Sequence, residues 1–353
     1  MKNDRIRIGF VGVGSMGQCA HLKNYAAISE CEVVAIAELR ADTAKKVAAR
    51  YGVAKVYADH RQMLNNERLD AIVASQMFTR HGLLLPELRA AGVPVFIEKP
   101  LASSVQMGER IVKMSADHPG FLVVGYHKRS DLATMHAVDR IEPFRATGRL
   151  GKMTYVRILM PAGDWSAGGF NDLITGNDPG IDLETDPPPS DMDGATFERY
   201  TAFVNFYIHQ VNLMRHLLGE SYAVAYADPT GKVLACRSAS GLPGIIETSP
   251  YTTTLDWQEQ VLVAFKHGWV RLNLPAPLAS NRPGRVEIFE GRGEGAIPVT
   301  TVPQMPPVHA MRQQALNFLD AVRENGSPLC DAATAPEDLK VARHYIDVMS
   351  ATT

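Results

Sequence analysis

The sequence has no extended block of lysine and arginine, and its formal net charge is −2 at pH 7. It therefore lacks the electrostatic footprint of a chain that binds nucleic acid or an anionic membrane surface. Cysteine is scarce. Cys19, Cys31, Cys236 and Cys330 lie far apart and form no CxxC pair, which argues against a disulfide framework or a zinc site and for ordinary thiols in a reducing compartment. No apolar run approaches the roughly 18 residues of a membrane span. No signal-peptide core stands before the first apolar segment, "IRIGFVG", so the expectation is a cytoplasmic protein. What is present is a chain of 353 residues, 46% hydrophobic, enough for about two domains with a sizeable core.

Residues 1–127 alternate apolar runs with amphipathic stretches. "IRIGFVG", "CEVVAIAE", "LDAIVAS", "PVFIEK" and "FLVVGYH" read as strands, and "MGQCAHLKNYAAI", "ADTAKKVAARYG" and "RHGLLLPELRAAG" read as helices. This alternation predicts a parallel, doubly wound α/β sheet. Gly52 and Gly92 fall where two of these helices would end. Residues 128–353 have a different texture. A strand, "KMTYVRILM", is followed by a Gly-, Pro- and Asp-rich segment without periodicity, which reads as a solvated, substrate-covering loop. After a helix come "SYAVAYAD", "KVLACRS", "PGIIETS", "EQVLVAFK", "WVRLNL" and "RVEIFEG", strands joined by short turns, which predict an antiparallel sheet. Two amphipathic helices, "HAMRQQALNFLDAVREN" and "APEDLKVARHYIDVMS", close the chain. The second domain is thus α+β.

"GFVGVGSMG" spaces Gly12, Gly14 and Gly17 as GxGxxG between a strand and a helix. In that context Gly12 makes the tight turn, Gly14 lets backbone approach a pyrophosphate, and Gly17 lets the helix pack on the sheet. Glu38 ends the second strand, where an acid holds the adenosine ribose hydroxyls. Its charge opposes a 2′-phosphate, so NAD is expected before NADP, with Arg40 as a partial offset. A second motif, Glu98-Lys99-Pro100, follows a strand on the edge where open α/β sheets bind ligands.

The helix "FVNFYIHQVNLMRHLLGE" is apolar except for Asn205, His209, Asn212 and His216, whose spacings of 4, 3 and 4 stack them on one face. A stripe of amides and imidazoles without acid or lysine predicts a buried, wet pocket. The acids before this helix (Asp182, Glu184, Asp186, Asp191, Asp193 and Glu198) do not follow a calcium-loop pattern, and no metal is expected.

The order GxGxxG, acid, EKP, "GYHKR", helix with His209 and then a run of strands resembles the glucose–fructose oxidoreductase, inositol dehydrogenase and rhizopine catabolism (Gfo/Idh/MocA) family over nearly the whole chain. The resemblance implies an NAD(P)-dependent oxidoreductase acting on a sugar, polyol or related compound. It implies a Rossmann domain, and a second domain with a large, mostly antiparallel open sheet through which copies form a homo-oligomer. It makes Lys99 and His209 catalytic. It places Tyr126, His127 and Arg129 at the substrate, with Asn205, Asn212 and Trp165, and assigns Gly12, Gly14, Ser15, Met16, Gly17, Glu38, Arg40, Ser75, His81, Glu98 and Lys99 to the cofactor. The family carries Asp on the helix where this chain has Asn205, and often Asp at 212. That departure keeps two alternatives open: an enzyme that oxidises and re-reduces its sugar with no net redox change, and a nucleotide-binding regulator without turnover.

Overall fold

Short apolar runs in the first third of the chain are buried on both faces, which explains why they read as unbroken rather than alternating. They form β1 (Ile6–Val11), β2 (Cys31–Ala37), β4 (Ala71–Ala74), β5 (Val95–Ile97) and β6 (Leu122–Val124), while β3 (Lys55–Tyr57) is a largely exposed edge strand. All pairings are parallel, in the order β3-β2-β1-β4-β5-β6, the doubly wound arrangement for dinucleotides. The computed structural model describes residues 5–291, 295, 297–324 and 326–351. Met1–Asp4 of the expected first domain, Asn325 at the end of an expected helix, and Thr352 and Thr353 lie outside these.

The chain forms two compact units. The first comprises Met1–Tyr126, Gly168–Asp193 and Gln314–Pro336, and the second His127–Ala167, Gly194–Gln313 and Glu337–Thr353. Besides the residues up to 126, the first unit thus takes in two later segments, one of them from the closing helices. Its helices are α1 (Lys23–Tyr25), continuing a π-helical Gly17–Leu22, then α2 (Ala41–Tyr51), α3 (His60–Asn66), α4 (His81–Arg89) and α5 (Val105–Ala116). Gly52 ends α2 in the left-handed conformation at φ 68°, as its place in the sequence suggests.

The second unit holds α6 (Leu132–Thr147), β7 (Met153–Ala162), α7 (Gly194–Leu218), β8 (Tyr222–Ala227), β9 (Val233–Ser238), β10 (Pro243–Thr252), β11 (Glu259–Phe265), β12 (Gly268–Leu274), β13 (Arg285–Glu290) and β14 (Val299–Thr301). The sheet order is β14-β13-β12-β11-β7-β10-β9-β8, antiparallel except for β7 with β10. The strands alternate buried and half-exposed positions. Helices α6 and α7 cover one face; Tyr155, Ala264, Trp269 and Phe289 share a row on the other. The last helices are α8 (Ala310–Glu324) and α9 (Ala335–Ala351). In the first unit, Phe318 of α8 meets Phe96 and Phe121 edge-on, with centroids 5.9 and 6.1 Å away.

Arg89, at the end of α4, is fully buried. Its guanidinium nitrogens donate to the carbonyls of Val93, Ser115, His118, Pro119 and Gly120 at 2.9–3.3 Å. One side chain thus ties the end of α4 to the turn between α5 and β6. Arg89→Met is expected to cost about 3 kcal/mol in chemical denaturation, because it strands buried carbonyls without donors. A loss below about 1 kcal/mol would show that water takes over the role.

Candidate active site

The first cluster lies in the first unit, where β1, β2 and β4 end together. Gly12 has φ 85°, and a Cβ there would come within 2.4 Å of the Ser75 carbonyl. At Gly17 a Cβ would meet the Gly12 carbonyl oxygen at 2.3 Å. Neither position accepts a side chain. At Gly14 a Cβ would find only an Arg40 guanidinium nitrogen, 3.9 Å away. The loop is closed beneath Gly12 and Gly17 and open above Gly14, the side on which Ser15 and Met16 lead into the helix.

Glu38 is buried at the end of β2. It accepts the Val13 N–H at 2.9 Å and binds Arg40 through Nε and Nη2, both at 2.9 Å. Burial works against its charge, but the Arg40 guanidinium and the Val13 amide outweigh that and hold its pKa below the ordinary carboxylate value. Glu38 also accepts the Arg40 N–H at 3.1 Å, so its roughly four lone pairs are all engaged, and ribose hydroxyls would take the place of Arg40 contacts. Together these residues fit a dinucleotide: an open Gly14 edge for the pyrophosphate and Glu38 for the ribose.

Lys99 follows β5 and is half-exposed, and its peptide bond to Pro100 is cis. Glu98 is buried, with one carboxylate oxygen 2.5 Å from His21 Nε2 and the other accepting the Lys99 N–H at 3.0 Å. Burial opposes its charge, but His21 and Lys99 keep its pKa below the usual range. His21 comes from the π-helical turn after the glycine loop; its one signal in the sequence is being a lone histidine on an apolar helix. His81 is fully buried, with Nδ1 3.0 Å from the Leu101 carbonyl and Nε2 3.3 Å from that of Gln76. It lies between the end of β4 and the residues after the EKP turn, and in its neutral form its one N–H serves one of these carbonyls at a time. Burial pushes its pKa down to about 4, so it is neutral at pH 7.

The second cluster lies in the second unit. His209 is half-buried on α7, and the His127 ring meets it edge-on at 4.3 Å. His127 also lines a small pocket with Lys128, Asp131, Arg282 and His309. The Asn281 N–H donates to His309 Nδ1 at 3.1 Å, which leaves the proton of a neutral His309 on Nε2. Lys128 is buried 2.5 Å from Glu259, whose other oxygen accepts from Gln210 at 2.8 Å; the sequence reading named neither Lys128 nor Glu259.

The α7 stripe divides. Asn205 is exposed, His209 is half-buried, and Asn212 is buried. Arg129 Nε donates to Asn212 Oδ1 at 2.8 Å, and Asn212 Nδ2 donates to Asp338 at 2.7 Å. Asp338 also binds Arg215 at 2.8 Å. His216 is driven down to about 3, first by burial and then by Arg129 and Arg215. Tyr126 is buried in the first unit. Trp165 is about two-fifths exposed, and its carbonyl accepts the Leu278 N–H. Of the acids named before α7, Asp182, Glu184, Asp191, Asp193 and Glu198 are exposed, while Asp186 accepts a first-unit backbone N–H, as does Asp178 earlier in the segment.

Residues 6–126 match a protein family described as the oxidoreductase family with an NAD-binding Rossmann fold. Over 261 residues the chain is 25% identical to myo-inositol 2-dehydrogenase of Thermotoga maritima, covering 69% of this chain and 68% of that protein. It is 33% identical to inositol 2-dehydrogenase of Acidothermus cellulolyticus over 135 residues, which span 38% of this chain and 40% of that protein. Among solved structures, an oxidoreductase from Agrobacterium radiobacter in complex with NAD+, L-tartaric acid and magnesium superposes with a TM-score of 0.71. That match covers 99% of this chain and 97% of the other at 14% identity, a likeness of fold.

His81 has a consequence for acid stability. Its folded pKa lies below the ordinary 6.5, so between pH 6.5 and about 4 the unfolded chain binds a proton that the folded one refuses, and stability falls as pH falls. The loss through His81 from pH 7 to about 4.5 is roughly 2–3 kcal/mol. Urea denaturation at the two pH values should show a correspondingly smaller drop for His81→Asn. Equal drops in both proteins would contradict the assignment.

Proposed function

We propose that the chain is a member of the Gfo/Idh/MocA oxidoreductase family, whose model its residues 6–126 match, and that it is an NAD-dependent dehydrogenase that oxidises a secondary alcohol of a polyol or sugar. The observation that carries this reading is one sheet edge bearing the Gly12–Gly17 loop, Glu38 and Lys99 together. The inositol dehydrogenases among its relatives support the substrate class.

NAD, when bound, accepts the hydride. The chain's own residues handle the remaining proton. The Lys99 ammonium donates to the alcohol oxygen and stabilises it as it becomes negative. His209 takes the hydroxyl proton, starting from the side-chain class whose unperturbed pKa lies nearest neutrality. The products are the ketone, NADH and one proton. His127, in edge contact with His209, orients the imidazole. Tyr126, Asn205 and Trp165 serve substrate recognition, and Ser15, Met16 and Ser75 complete the cofactor cradle. The four buried free thiols suit a reducing cytoplasm. The row of Tyr155, Ala264, Trp269 and Phe289 supports self-association through the second-unit sheet.

Incubation with NAD and a panel of inositols and sugar alcohols is expected to produce NADH absorbance. Lys99→Ala and His209→Ala should each lower kcat by about 100-fold or more while NAD binding, followed by calorimetry, persists. Full activity in both variants would remove these residues from the chemistry.

A further inference from the structure

The segment Gly168–Asp193 lies between β7 and α7 in the chain, yet it belongs to the first unit as a strap. Its hydrogen bonds fall on helices that follow β1, β2 and β4. The Ile174 peptide is held at both ends by Gln18: its N–H donates to Oε1 at 3.0 Å and its carbonyl accepts from Nε2 at 2.9 Å. The Gly176 N–H donates to Thr43 Oγ1 at 2.9 Å, and the Asn177 N–H to Asp42 Oδ2 at 2.8 Å. Asp178 sets its carboxylate on the start of α2. Oδ1 accepts the Asp42 N–H at 2.8 Å, and Oδ2 accepts the Thr43 N–H at 2.9 Å and the Thr43 hydroxyl at 2.6 Å. Further along, Arg80 Nε donates to the Glu184 carbonyl at 2.8 Å, and Asp186 accepts the Gly82 N–H at 2.9 Å.

We propose that Asp178 determines cofactor specificity: delivered by the strap, it fills the anion position beside Glu38 and Arg40 and bars a nucleotide that carries a 2′-phosphate. The inference rests on the NAD reading. The adenosine ribose belongs at Glu38, and a 2′-phosphate would extend from it toward Arg40 and the first turn of α2. The donors that face this position from the start of α2 are taken up by Asp178. The Arg40 guanidinium binds Glu38 through two nitrogens, and the Asp42 and Thr43 amides and the Thr43 hydroxyl bind Asp178. Asp42 is itself paired with Lys46 at 2.9 Å. A phosphate arriving there meets a carboxylate where it needs donors, and like charges at that distance repel. NAD, with a hydroxyl at the same carbon, meets no such opposition.

Asp178 also caps α2, whose N-cap residue Arg40 makes no side-chain cap bond. A purely structural role predicts equal effects on both nucleotides. Calorimetric titration of the full chain with NAD and with NADP separates the two. Asp178→Asn keeps an acceptor oxygen for the helix and removes the charge, and Asp178→Ser shortens the side chain. In both variants the ratio of the NADP Kd to the NAD Kd should fall by about tenfold or more, with the NAD Kd itself held within about threefold. If NAD binds and the ratio falls by less than about tenfold in both, the inference is overturned and the NAD reading stands. A wild-type chain that binds neither nucleotide overturns the NAD reading, and this inference with it.

Discussion

The crowding at Gly12 is the constraint on which the first unit depends. The Gly12 N–H donates to the Ala37 carbonyl of β2, and the Ser75 N–H donates to the Val11 carbonyl of β1, both at 2.9 Å. The ends of β1, β2 and β4 are thereby drawn against one backbone turn that has no room for a Cβ. That contact lays Glu38 and Ser75 on a common edge and starts the following helix at a set height. The helix carries His21 to Glu98, and Glu98 holds the Lys99 amide. The placement of Lys99 therefore traces back, through one buried histidine and one buried acid, to a glycine turn more than eighty residues earlier in the chain.

The stripe on α7 lacks acid for a reason that lies outside the helix. Asn212 Nδ2 faces an Asp338 oxygen at 2.7 Å. A carboxylate at 212 would set two buried anions against each other. An amide can donate to Asp338 and accept from Arg129 at once, so it joins an arginine on each side to a single acid. The asparagine at 212 is thus a packing requirement, not a sign of lost turnover. Asn205, exposed at the other end of the stripe, carries no such obligation.

Long, doubly buried strands and the glycine loop were legible in the sequence because their signals are local: apolar runs, punctuating glycines and an acid at a strand end. Elements with weak local signals were not. β3 and β14 are mostly exposed three-residue strands, without the apolar run that marks the equally short β5 and β6. Helix α6 contains Pro143 and does not segregate its apolar residues to one face. In the site, helical spacing showed which side chains of α7 share a face, but not what stands opposite. Asn212 meets Arg129 and Asp338 across 83 and 126 residues of chain. The carbonyls beside His81, on Gln76 and Leu101, become neighbours only in the fold. The partners of Asp178 and Asp186 were hidden for the same reason: the amides they accept from belong to helices more than a hundred residues away.

The last strand of the first sheet is finished by the far end of the chain. The Val124 N–H donates to the Cys330 carbonyl, and Val123 forms a bridge with Asp331, while Phe318 covers Phe96 and Phe121. During synthesis the nucleotide-binding unit emerges first, yet it stays incomplete until some two hundred further residues have been made. Its edge and one aromatic patch remain uncovered through that interval, the kind of surface on which non-native association begins. A fragment cut after residue 126 would keep that condition permanently, and so the region that carries the family's sequence pattern is not, in this chain, a self-sufficient folding unit.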